Sequence, residues 1–104
     1  MRSLRIDRRL VRWCRVTLGG RLKAVTVDLS EFGFCAELGP VFVPGAPIEG
    51  TLRVRDRDFH FQGEVTWAQA GRPAEREPSR IGVRFTDIPR DFPQWLHRPL
   101  LAAG

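Results

Sequence analysis

Arginines recur near the start of the chain at a spacing suited to gripping an anion. Arg8 and Arg12 form an R-x-x-x-R pair with Arg9 between them, and Arg5 with Arg9 fits the same spacing. Each guanidinium presents a flat fork of N–H donors that matches a phosphate or the N7/O6 edge of guanine. Residues 1–23 hold eight basic groups and one acidic group, so the excess behind the net charge of +5 lies in this segment.

A second group of polar residues follows at positions 28–33, which read Asp-Leu-Ser-Glu-Phe-Gly, or D-x-S-x-x-G. At a strand end, Asp28 and Ser30 project from the same face because side chains alternate with a period of two. Gly33 is expected to adopt a positive φ in the turn and to let a ligand approach the backbone. Taken alone, the pattern also fits an ordinary Asx or Ser turn.

The elements that must position these groups are strands, because apolar residues alternate along most of the chain. Gly19-Gly20 indicates a tight hairpin after the first strand. Alternation places Val25, Val27 and Leu29 on one face of the second strand. On the fifth strand it places alternate residues on one face, namely Phe59, Phe61, Gly63, Val65 and Trp67. The predicted strands cover residues 10–18, 22–29, 34–38, 52–54, 59–67 and 81–85.

The end of the chain changes to helical spacing. Asp91 is expected to cap the start of a helix ahead of an early proline. Phe92, Trp95 and Leu96 fall on one helical face, and Pro99 ends the helix. Six short strands and one terminal helix predict a mainly β fold, a six-stranded antiparallel β-barrel with a short C-terminal helix. We divide the 104 residues into a flexible basic arm (1–9), the barrel with its helix (10–98) and a tail (99–104).

The spacing of the histidines, cysteines and glycines argues against catalysis and against a metal centre. His60 and His97 have no carboxylate, serine or cysteine at a spacing typical of a triad or a metal site. Cys14 and Cys35 fall within predicted strands and are expected to be small buried apolar residues. There is no glycine-rich phosphate loop. We therefore predict a binding protein that is not an enzyme and that needs no cofactor.

The chain shows no targeting or membrane segment. No apolar run approaches the ~20 residues of a membrane helix, and no apolar region follows the basic start as in a signal peptide. We therefore expect a cytoplasmic protein without membrane insertion.

In this order and at this separation, the two polar motifs resemble those of the PilZ domain family, in its single-domain, cyclic di-GMP-binding type. Residues 63–67, Gly-Glu-Val-Thr-Trp, resemble the family's G-x-V-x-W strand. Residues 80–85, Arg-Ile-Gly-Val-Arg-Phe, resemble its late strand ending in G-V-x-F. The resemblance covers residues 5–97 and implies a PilZ-like barrel that binds the bacterial second messenger cyclic di-GMP.

The resemblance also implies a role for each motif residue. Arg8 and Arg12 would clamp guanine edges and phosphates, and Asp28 would accept the N–H donors of the opposite guanine edge. Ser30 would add a polar contact, and Gly33 would leave room for the ligand.

Neighbouring residues would extend this site. Arg9 would add a phosphate or stacking contact, Arg5 belongs to the alternative Arg5/Arg9 register, and Trp13 would serve as a stacking platform or as a core aromatic. Nucleotide binding would order the arm and change its contacts with an unidentified downstream protein of the motility, exopolysaccharide or regulatory machinery.

Two alternative functions remain open from the sequence. One is an adaptor of the same fold that acts through protein contacts without nucleotide. The other is a small RNA- or single-strand-binding barrel in which Trp13, Phe32 and Phe34 stack on bases. Nucleic acid is the less favoured partner, because the cations cluster at one end and the strand aromatics fit a core pattern.

Overall fold

The computed structural model describes residues 14–39 and 42–97, and within them the chain forms a closed antiparallel β-barrel. The strands pair in the order β1-β2-β3-β6-β5-β4, and β4 closes the barrel by pairing with β1. The prediction of a six-stranded antiparallel barrel with one short terminal helix is therefore confirmed. The strands are β1 (Arg15–Leu18), β2 (Leu22–Leu29), β3 (Gly33–Leu38), β4 (Pro47–Val54), β5 (Arg57–Gln69) and β6 (Ser79–Asp87). A 3-10 turn (Pro73–Glu75) lies between β5 and β6, and the helix α1 spans Phe92–Leu96.

The first hairpin uses its glycines as the sequence predicts. Gly19 and Gly20 have φ values of 60° and 78°, a region that glycine enters without steric cost. The two-residue turn that Gly19-Gly20 indicates is one residue too short, because β1 ends at Leu18 and β2 begins at Leu22, so the connection also includes Arg21. The predicted first strand began at residue 10, but residues 1–13 lie outside the described part of the chain.

The barrel interior is filled by aliphatic side chains and a chain of phenylalanine rings. Phe34 meets Phe61 edge-on at a centroid distance of 5.4 Å. Phe92 of α1 meets Phe59 at 5.1 Å and Phe85 at 5.5 Å, so the helix closes one end of the core. Edge-to-face contacts of this kind add to the stabilisation from apolar burial.

Polar contacts fix α1 against the barrel. The Trp95 indole Nε1–H donates to the Val54 carbonyl oxygen at 3.0 Å. Asp91 makes no side-chain cap to the helix; instead its carboxylate pairs with Arg57 at 2.5 Å. The Arg57 guanidinium also lies 4.8 Å from the Phe59 ring centroid and 5.6 Å from that of Trp95. The helix start is therefore held by a tertiary ion pair.

A β-bulge in β2 contradicts the prediction that Val25, Val27 and Leu29 share one face of that strand. Thr26 pairs with Ala36 and Asp28 with Cys35, so Val27 is an extra residue. Thr26 lies inside, Val25 is 42% exposed, and Leu29 returns to the core with no exposed surface. The simple alternation that grouped Val25 and Val27 with Leu29 is wrong, because a bulge shifts the phase of the side chains.

A second bulge does the same in β5. Val65 pairs with Val83 and Trp67 with Gly82, which leaves Thr66 as the extra residue. The Thr66 hydroxyl donates to the Gly82 carbonyl oxygen at 3.2 Å. Val65 is fully buried, whereas Trp67 is 43% exposed. The prediction that Trp67 shares the inner face with the phenylalanines is wrong for the same reason.

The two predicted buried cysteines also differ. Cys14 is 6% exposed and belongs to the core, as expected. Cys35 is half-buried and projects outward from β3, between the inward-facing Phe34 and Ala36. No helix in the described residues is long and apolar enough to cross a membrane.

Candidate functional site

One row of outward-facing residues crosses four adjacent strands and joins the sequence motifs. Asp28 on β2 pairs with Cys35 on β3, Cys35 pairs with Gly82 on β6, and Gly82 pairs with Trp67 on β5. We call this row of four residues the outer platform. Three inter-strand spacings of about 4.8 Å separate its acidic and aromatic ends by about 14 Å.

The indole of Trp67 lies directly over the backbone of Gly82. A Cβ built on Gly82 would lie 2.6 Å from Cε2 and 2.7 Å from Cδ1 of the indole. Only glycine leaves the indole this close to the strand, because any side chain would displace it. The indole lies against β6 but is 43% exposed, and its outer side offers a stacking surface beside the small Cys35.

The motif turn, residues 30–33, borders the outer platform at the end of β2. Ser30 is 1% exposed, and its hydroxyl accepts from the Phe32 N–H at 3.1 Å and donates to the Gly33 carbonyl oxygen at 3.4 Å. The Ser30 amide donates to the same carbonyl oxygen at 2.9 Å. The strand ends at Leu29, so Ser30 does not continue the alternation from Asp28 that the sequence suggested. Its hydroxyl organises the turn, and a contact with ligand stays a prediction.

Gly33 has a structural role that differs from the expected one. It begins β3 opposite Arg84, and its φ is not positive. A Cβ at this position would overlap the carbonyl oxygen of Val83 on β6. The glycine is therefore required for the close approach of β3 and β6, which shapes one edge of the outer platform.

Ion pairs flank the outer platform on both sides. Arg84 pairs with Glu64 at 2.6 Å, and Arg80 pairs with Glu37 at 2.7 Å. Their side chains are 37–57% exposed, so solvent screens both pairs. Both cations are therefore compensated by these acids, and Asp28 supplies the carboxylate at one end of the outer platform.

A cleft of about 390 Å³ opens over the outer platform. It lies between two exposed aromatic side chains, Trp67 on one side and Phe32 at 51% exposure on the other. The remaining polar and small groups around it are Asp28, Gly33, Cys35, Thr66 and Arg84. A flat aromatic base with N–H donors on one edge fits an aromatic floor that ends in a carboxylate.

The chain enters the barrel beside this cleft. The Cys14 N–H donates to the Thr26 hydroxyl, and the Thr26 N–H donates to the Cys14 carbonyl oxygen, both at 2.9 Å. Thr26 lies on β2 two residues before Asp28. The other predicted site residues lie outside the described part of the chain: Arg5, Arg8, Arg9, Arg12 and Trp13.

Sequence reasoning missed the outward position of Trp67 and Cys35. Both residues occur in apolar, strand-like segments, and a period of two assigned them to the core. The signals that bear on their position are Thr66 and the small Gly82, a polar residue and a glycine within otherwise apolar strands. Neither signal identifies a bulge unless the pairing of the strands is already known.

The two histidines lie apart from the outer platform. His60 Nδ1 lies 2.9 Å from the Thr51 hydroxyl on another face of the barrel, and His97 Nε2 lies 3.5 Å from the Glu31 carboxylate. Within residues 14–39 and 42–97, no three metal-ligating side chains come together.

Comparison with known proteins shows the family. The family model described as "PilZ domain" matches residues 3–101, nearly the whole chain. The chain therefore belongs to the PilZ domain family, whose members are generally receptors for cyclic di-GMP and act as binding or adaptor modules.

A solved structure supports the same fold. The structure of the Bacillus subtilis inhibitor of motility, MotI/DgrA, matches with a TM-score of 0.76 and 15% sequence identity. The match covers 88% of this chain and 47% of that one, so this chain spans about half the length of that protein. No curated protein matches the chain.

Proposed function

We propose that this chain is a cyclic di-GMP receptor that holds the nucleotide on the outer platform and clamps it with the arginines of the N-terminal arm. The observation that carries the proposal is the outward row that the two bulges create. It places a carboxylate and an exposed indole on one surface, separated by the small residues Cys35 and Gly82.

The chemistry of this surface suits a guanine. The Asp28 carboxylate accepts hydrogen bonds from the N1–H and N2–H₂ groups of the base. The exposed face of Trp67 stacks on a base, a contact worth about 1–3 kcal/mol. The Arg8/Arg12 forks then bind the N7/O6 edge and the phosphates, which no group on the platform itself satisfies.

Chain length allows the arm to reach this surface. One residue separates Arg12 from Cys14, which limits their Cα distance to about 7 Å, and Arg8 lies within about 21 Å of Cys14. Because Cys14 is hydrogen-bonded to Thr26, two residues before Asp28, the connecting chain is long enough for both arginines to reach Asp28. In the alternative register, Arg5 and Arg9 are joined to Cys14 by longer segments of chain than Arg8 and Arg12. They can reach farther, but they lie farther along the chain from the barrel.

Nucleotide binding changes the contacts of the arm in this proposal, and a downstream protein in the cytoplasm responds to that change. The phosphodiesters neutralise arginines that repel one another in the free protein. The likeness to an inhibitor of motility supports the motility machinery as the first of the three predicted outputs to examine. We expect hydrogen exchange to show higher protection of residues 1–12 with nucleotide than without.

Calorimetric titration tests the ligand and the clamp together. Wild type is titrated with cyclic di-GMP, with GMP as the control for a single base, alongside Arg12→Ala and Asp28→Ala. The matched control is Asp56→Ala, which removes an exposed carboxylate from the turn between β4 and β5.

We expect binding that Arg12→Ala and Asp28→Ala abolish and Asp56→Ala leaves unchanged. A folded wild type that gives no heat with cyclic di-GMP would contradict cyclic di-GMP as the ligand. It would favour an adaptor that acts through protein contacts without nucleotide. Binding that survives both site substitutions would overturn the site.

A further inference from the structure

The outer surface of β2, β1, β4 and β5 carries a second charged cluster, on the opposite side of the barrel from the outer platform. Arg15 on β1 lies directly opposite Arg53 on β4, and Lys23 lies diagonally beside Arg15 on β2. We call Arg15, Lys23 and Arg53 the basic face. All three side chains are exposed.

The facing arginines are a local electrostatic conflict. Like charges directly opposite each other on paired antiparallel strands destabilise the sheet. Arg53 is partly compensated by Asp58 at 3.1 Å, with side chains 50% and 51% exposed. Within the described residues, Arg15 and Lys23 have no acid within ion-pair distance, whereas Arg80 and Arg84 near the outer platform are both paired.

The basic face is concave and chemically mixed. A cleft of about 630 Å³ lies over it, floored by the hydroxyl-bearing Thr17 and Thr51. Val25 lines the same cleft and is 42% exposed, which adds an apolar contact next to the cations. Asp58 also lines the cleft, next to its ion-pair partner Arg53.

This mixture selects among anionic partners. A nucleic acid or a lipid surface presents negative charge throughout, so the Asp58 carboxylate that lines the cleft would oppose it. A protein segment presents separate carboxylates together with apolar and hydroxyl groups, and it can place a basic or neutral group beside Asp58. The cleft therefore fits an acidic stretch of protein best.

We propose that the basic face docks an acidic segment of a partner protein. A carboxylate between Arg15 and Arg53 relieves their repulsion, a second pairs with Lys23, and an aliphatic side chain covers Val25. The surface shares no residue with the outer platform, so this inference stands without the nucleotide.

The test measures the anisotropy of a fluorescent peptide that repeats glutamate, threonine and valine, at low salt. We expect Arg15→Gln and Lys23→Gln each to weaken peptide binding about threefold, as for a solvent-exposed ion pair. The matched control Arg90→Gln removes an exposed arginine from the loop before α1 and is expected to leave the affinity unchanged.

A stability measurement separates docking from a structural role. Since Arg15 opposes Arg53, Arg15→Gln is expected to raise the melting temperature by about 2 °C while it weakens the peptide complex. Equal loss of affinity in Arg90→Gln would show attraction by net charge alone and overturn the proposal. So would tighter binding of a short RNA or of phosphatidylserine vesicles, lost in the same two variants.

Discussion

Replacing Gly33 by alanine tests whether the motif glycine serves the fold or the ligand. The added Cβ would overlap the Val83 carbonyl oxygen of the neighbouring strand, so β3 and β6 must separate. Overpacking of this kind costs about 1–3 kcal/mol. The shift also strains two backbone hydrogen bonds beside the glycine, Phe85 N–H to the Phe32 oxygen at 2.8 Å and Ser30 N–H to the Gly33 oxygen at 2.9 Å. Losing one adds about 1 kcal/mol.

The expected loss of unfolding free energy is therefore about 2–4 kcal/mol, a large part of the stability of a domain of this size. Urea unfolding measures it, and the melting temperature falls by roughly 10–25 °C. The matched control is Gly39→Ala, where an added Cβ would meet no described atom within 4 Å. That variant is expected to change the unfolding free energy by less than about 1 kcal/mol. Equal midpoints for Gly33→Ala and wild type would refute the argument that Gly33 is required for the close approach of β3 and β6. That result would favour a role for this glycine in ligand binding.

Three further substitutions probe the parts that hold the site. Phe92→Ala removes a fully buried ring from the end of the core and is expected to cost about 3–5 kcal/mol in urea unfolding; a loss below 1 kcal/mol would contradict the helix packing. Ser30→Ala leaves the Phe32 N–H without its acceptor and is expected to cost about 1–3 kcal/mol, read from the same curves. Arg80→Ala breaks the exposed pair with Glu37 and is expected to change the free energy of unfolding by less than about 1 kcal/mol; a larger change in urea unfolding would contradict this.

The fold was predictable because its main signals are local. Alternating apolar residues, the paired glycines at 19 and 20 and the helical spacing of Phe92 to Leu96 each depend on a few neighbouring positions. All of them agree with the barrel, its first hairpin and its closing helix. One local expectation that fails is the side-chain cap by Asp91, whose carboxylate pairs with the distant Arg57 instead.

The site was only partly predictable because its shape depends on strand pairing. The motif located Asp28 near a strand end, but the bulge at Val27 decides which side of β2 it faces. The bulge at Thr66 likewise turns Trp67 outward. A bulge is defined by two strands together, so period-two reasoning along one strand cannot find it. The placement of the arm arginines stays a prediction.

The most direct test of the central claim is an amide and indole NMR titration of the ¹⁵N-labelled protein with cyclic di-GMP. We expect the largest shifts at the amides of Asp28, Cys35 and Gly82 and at the Trp67 indole N–H. Thr51, on the opposite side of the barrel, is predicted to keep its amide position. Shifts centred on that opposite side, or none at saturating nucleotide, would contradict the assignment of the outer platform as the nucleotide site.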